Sequence, residues 1–239
     1  MKIPHTLAAA LAVCALLTAC SSHAASSPGS ASSTSPGPGE GEVTPSATAA
    51  ITPSTTATAD LDDWPTEPAT ADKLPTGIHS AAFAHGYTGA AFLDRLTKRW
   101  NITMSARKKN DFKANDAWPA VWISSGSTHP TPDTKVSIAV VWSLGGDLES
   151  LTCTADRKAA DHPEFLRQCA ELDHPGAHPQ AAANWLQRTT PAVDKAFAQA
   201  NKPVGSALHR SGRAATYLQE YGTGEDTATY ALRVFGTAS

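Results

Sequence analysis

A chain of 239 residues, 41% apolar and 17% charged, with a formal net charge of −3, has material for one or two folded domains. The composition is uneven, and residues 74 to 239 carry 17 Lys and Arg against 15 Asp and Glu. That balance lacks the strong basic excess of a nucleic-acid binder, so no nucleic acid is expected as a partner.

The first residues read as an export signal. Lys2 gives a positive start, Leu7 to Leu17 run apolar, and small residues follow before Cys20. An apolar run of 11 residues is too short to span a bilayer, which needs about 20. The stretch Leu17-Thr18-Ala19-Cys20 resembles the lipobox of bacterial lipoproteins. The resemblance implies a signal peptide over residues 1–19, removed before Cys20, and a thioether-linked diacylglycerol of palmitate type on Cys20. Two acyl chains hold a protein on a membrane where one is marginal. The expected location is the extracytoplasmic face of the cell membrane.

Residues 20–73 read as a lipidated cysteine and a disordered linker, because Ser, Thr, Pro and Ala cannot bury enough apolar surface to offset the entropy of ordering. Acidic residues outnumber the single Lys73 there, so repulsion should extend it. Trp64 interrupts this polar material. It reads as the point where the chain first touches the domain, or else as a docking peptide.

The remaining residues, 74–239, read as one α+β domain. Thr88 is placed to cap a helix reaching Trp100, with Phe92, Leu96 and Trp100 on one stripe. Period-two alternation then predicts strands around Ile102 to Ala106, Trp118 to Ile123 and Val136 to Leu144; Gly145-Gly146 turns into a strand carrying Leu151 and Cys153. Asp161 and Glu164 have capping-box spacing ahead of a helix with Phe165, Cys169 and Leu172 inward. A helix from Gln180 to Arg188 should stop before Thr190-Pro191, which starts another. A hairpin ends the chain, with Ala215, Tyr217, Gln219 and Tyr221 on its first strand and Tyr230, Leu232 and Val234 on its second. The expected architecture is an antiparallel sheet of about five to six strands with helices packed on one face.

With Cys14 in the leader and Cys20 lipidated, Cys153 and Cys169 remain, and two cysteines in an exported domain admit one disulfide. Asp161, His162, Asp173, His174 and His178 are the richest polar constellation. His162, His174 and His178 are weak metal candidates, since Pro175 and Gly176 place the last two in a turn and not on one helix face. Trp118 and Trp122 share a face of one predicted strand, a candidate interaction patch if uncovered and core if covered. The run Arg107, Lys108, Lys109 and Lys113 reads as a solvated loop or a contact for anionic polymer.

Ser105 to Lys108 matches S-x-x-K, but a strand would point the two to opposite faces, and no other nucleophile, metal, phosphate or dinucleotide motif occurs. No catalytic residue and no cofactor are therefore expected. Export, tether and stapled domain point to a lipid-anchored extracytoplasmic binding domain, with an envelope protein, peptide or cell-wall polymer as partner. The alternatives are a cell-surface hydrolase with an unrecognised site and a structural envelope protein.

Overall fold

The computed structural model describes residues 61–76, 78–110, 119–224 and 227–238. Cys20, Trp118 and Lys113 lie outside the described residues. In chain order the elements are β1 (Ala69–Thr70), α1 (Ala90–Trp100), β2 (Thr103–Met104), β3 (Lys108–Asn110), β4 (Val121–Thr131), β5 (Thr134–Ser143), β6 (Leu148–Asp156), α2 (His162–Ala170), α3 (Pro179–Ala200), β7 (Val204–Gly205), β8 (His209–Ser211), β9 (Ala214–Tyr221) and β10 (Thr229–Gly236). Short 3-10 turns at Leu61–Asp63 and Ala71–Lys73 flank β1.

All the strands pair antiparallel in one sheet, in the order β1-β7-β9-β10-β6-β5-β4-β2, with β3 also on β4 and β8 also on β9. The described residues thus form ten strands and three α-helices, an α+β fold with more strands than the five to six expected. The five long strands, β4, β5, β6, β9 and β10, are where alternation is legible. The other five hold two or three residues each, too few for a period of two to register.

Pairing parity sets the two faces of the sheet. Cys153 stands opposite Leu232, and Glu220 opposite Tyr230, which in turn faces Ala155, so these residues share one face. On that face Val136, Ile138, Val140, Leu151, Leu218, Leu232 and Val234 are buried against Phe165 and Leu166 of α2 and Val193 and Phe197 of α3. Phe92 and Leu96 of α1 join the same core. Each such side chain stabilises the fold by about 1.5–3 kcal/mol. The opposite face carries Ala139, Thr152, Thr154, Tyr217, Gln219, Ala231 and Arg233, all half-buried.

Residues 61–73, polar enough to be read as linker, contribute an edge to this sheet. The Trp64 ring is buried, donates Nε1–H to the Ser206 carbonyl at 2.8 Å and lies 4.9 Å from the Tyr217 ring. β1 pairs with β7, where Gly205 leaves room that a Cβ would lose to Leu74, 2.5 Å away. One aromatic anchor outweighs the surrounding polarity.

Two expected helices are one. α3 runs through Pro191 without breaking. Proline removes the N–H that would bond the Gln187 carbonyl, a defect costing about 3 kcal/mol in an isolated helix. Burial of Leu186 on one side and Val193 and Phe197 on the other outweighs it, and the Thr190 hydroxyl donates to the Leu186 carbonyl at 2.9 Å. The capping box at α2 is also absent. Asp161 occupies the N-cap without a side-chain bond, and Glu164, which would form the reciprocal half of the box, is taken by Arg167 and Gln168.

Candidate functional site

α2 and α3 lie side by side on the sheet and leave between them a cavity of about 590 Å³. α2 contributes His162, Pro163, Glu164, Leu166 and Arg167, and α3 contributes Gln180, Ala183, Asn184, Leu186, Gln187, Thr190 and Pro191. Leu166, Ala183 and Leu186 are buried, so they form a floor, while Gln180, Asn184 and Gln187 are exposed and form a rim.

The rim is made of amides, placed by helical geometry. Gln180 and Asn184 are one turn apart, and Gln180 Nε2 donates to Asn184 Oδ1 at 3.0 Å, which leaves an acceptor on one and a donor on the other. Their spacing along the axis is about 6 Å, close to the repeat of about 6.7 Å between alternate residues of an extended chain. One turn further, the Gln187 carbonyl lacks its i+4 amide donor, because residue 191 is proline. On the α2 side, Arg167 is chelated by Glu164 at 2.8 and 2.7 Å and also donates to Glu171, so the guanidinium on this wall is already engaged. The groove combines an apolar floor with neutral hydrogen-bonding groups, the pattern of sites that recognise uncharged polar ligands.

Beneath α3 lies a second set of polar groups. Glu220 on β9 is completely buried and accepts from Arg157 Nη1 at 3.0 Å. Tyr230 on β10 donates its hydroxyl to Asp194 of α3 at 2.6 Å. The His162 ring stacks on Tyr230 at 5.1 Å, and its Nδ1–H donates to the Ala159 carbonyl at 2.8 Å. Burial, then the negative charge of Asp194, pushes the Glu220 carboxyl up to about 7 against the opposing effect of Arg157. Burial and the bond to Asp194 push the Tyr230 phenol well up. Of this cluster His162 also lines the groove, whereas Glu220, Asp194 and Tyr230 lie under it.

The histidines singled out by sequence are not brought together. His174 is buried, stacked on Phe83 at 5.0 Å, and donates Nδ1–H to the Pro175 carbonyl at 3.1 Å; burial pushes its ring down. His178 precedes α3, exposed, with its backbone N–H on the Ser211 hydroxyl. Among the described residues no three His, Cys, Asp or Glu side chains gather as a metal site. Trp122 is half-buried and packs on the core beside Trp142, so it opens no patch. Arg107 lies 3.9 Å above the Trp142 ring, and Lys108 and Lys109 are exposed on β3. The Ser105 hydroxyl accepts from the Ser125 N–H, and Arg210 pairs with Asp62.

Cys153 and Cys169 are joined, S–S 2.14 Å, which staples α2 to β6. Closing a loop of that size is worth about 3 kcal/mol in the chain-entropy account. Among the described residues no helix is long and apolar enough to cross a membrane. No protein-family model, curated protein or solved structure matches this chain.

Glu220 was not foreseeable from alternation alone. Both parities of its strand hold polar residues, and the aromatic set Tyr217 and Tyr221 marks the wrong face as inward.

Proposed function

We propose that this chain is a lipid-anchored extracytoplasmic binding protein whose α2–α3 groove takes an extended peptide segment. The observation that carries the reading is the row of amides at Gln180, Asn184 and Gln187, ending in a backbone carbonyl whose i+4 amide donor Pro191 removes. A peptide backbone offers N–H and C=O groups at matching intervals, and its side chains would meet the Leu166, Ala183 and Leu186 floor. The strongly shifted ionisable groups favour binding over hydrolysis for a geometric reason. Acid–base catalysis needs its groups within hydrogen-bond reach of substrate, and Glu220 has no exposed surface.

The lipobox resemblance of Leu17 to Cys20 supports the anchor, and a linker of this composition would hold the groove away from the membrane. Labelling with a palmitate analogue should tag the wild type and not Cys20→Ser; equal labelling would remove the anchor from the account.

The groove is tested with an array of uncharged dodecapeptides probed by the mature chain in detergent. Peptides retained by the wild type should bind Asn184→Arg at least tenfold more weakly, equivalent to about 1.4 kcal/mol. Unchanged retention by Asn184→Arg, whose side chain is exposed at the rim and outside the core, would place binding elsewhere.

A further inference from the structure

The buried cluster beneath α3 leaves one acceptor unsatisfied. Glu220 has one oxygen on Arg157, while its other oxygen, Oε2, is buried with no donor. The groups facing it are Arg157 at the end of β6, Asp194 on α3 and Tyr230 on β10, with His162 of α2 stacked beyond Tyr230. The single Tyr230 O–H is already given to Asp194. A carboxylate oxygen left bare in the interior is among the costlier defects a fold can carry.

One proton removes the defect. With Oε2 protonated, Glu220 becomes a donor, and the carboxylate on the facing helix is Asp194, which accepts from Tyr230 directly opposite Glu220 in the sheet. We propose that Glu220 and Asp194 share one proton as a latch between β9 and α3, and that its loss with rising pH loosens α3 and with it the α3 wall of the groove.

The carboxyl value near 7 agrees with this geometry. Its sign is fixed by linkage. The folded value lies above the ordinary carboxylate value, so the stabilisation is complete below about pH 4.5, declines between pH 4.5 and 7, and is gone above 7. Burial pushes His174 and His209 down, which acts in the opposite sense as pH rises toward 6.5, so the latch must be read as a difference between variants. The consequence for ligand binding rests on the groove reading above; the latch itself does not.

The test compares the melting temperature of the full chain with that of Glu220→Gln at pH 5 and pH 7.5. Glutamine supplies an N–H toward Asp194 and a carbonyl toward Arg157 at every pH. The wild type should lose about 5 °C relative to Glu220→Gln across that interval; a difference that stays constant with pH overturns the latch. If Glu220→Gln does not fold, carbon-13 NMR of the wild-type glutamate carboxyls decides. One carboxyl should titrate near pH 7, and titration of every resolved glutamate at ordinary values overturns the proposal. A latch that passes while no peptide binds at pH 5 or 7.5 removes the groove reading alone.

Discussion

The two walls of the groove are built by different means. α2 is held covalently: Cys169 is bonded to β6, Phe165 and Leu166 are buried one turn before that link, and Trp100 of α1 packs edge-on against Phe165 at 5.0 Å. α3 has no covalent link among the described residues. It rests on Leu186, Val193 and Phe197, carries a proline at its middle, and meets the sheet through the Asp194, Tyr230 and Glu220 contacts. The wall with the covalent attachment presents paired charges, whereas the wall held by packing alone presents the amides. A site that must adapt to a ligand benefits from this division, since one side sets position and the other can move at modest cost.

Substitutions should separate the two walls. The largest effect is expected at the apolar seat of α3: Phe197→Ala should cost about 3–5 kcal/mol in chemical denaturation, since it leaves a cavity where a buried ring stood. A loss below 1 kcal/mol would mean that α3 contributes little to the core. Next comes the staple. Replacing Cys153 and Cys169 together by Ala should cost about 3 kcal/mol, measured by urea unfolding under oxidising conditions. Local exchange should accelerate in α2 more than in α3, and the reverse ranking would exchange the roles assigned to the walls.

Pro191→Ala acts in the other direction. Restoring the N–H toward Gln187 should raise stability by up to about 3 kcal/mol, and it should weaken any peptide that uses the Gln187 carbonyl. Stabilisation with unchanged peptide affinity would detach that carbonyl from recognition. The smallest effect belongs to the rim, where Asn184→Arg should alter stability by no more than about 0.5 kcal/mol, because the residue is exposed.

The sequence was most readable where a pattern repeats. The β5 alternation of Val136, Ile138, Val140 and Trp142, the α1 stripe of Phe92 and Leu96, and the Cys153–Cys169 pair all stand in the structure as their spacing implies. Readability ended where local chemistry and tertiary burial disagree. Thr190-Pro191 is a helix-start signal by itself, and only the apolar residues on both sides turn it into a helix interior. Asp161 and Glu164 have cap spacing, but Arg167 offers Glu164 a charged partner within the same helix. The groove was the least visible feature, because it belongs to neither helix. Gln180, Asn184 and Gln187 read as an ordinary solvated face until α2 is placed beside them.

Nitrogen-15 chemical-shift mapping of the mature chain, titrated with a peptide retained on the array, tests the central claim most directly. Shifts concentrated in residues 162–167 and 180–191 are expected. Shifts concentrated instead on the opposite sheet face, at Thr152, Thr154, Tyr217 and Arg233, would contradict the assignment of the groove as the binding site.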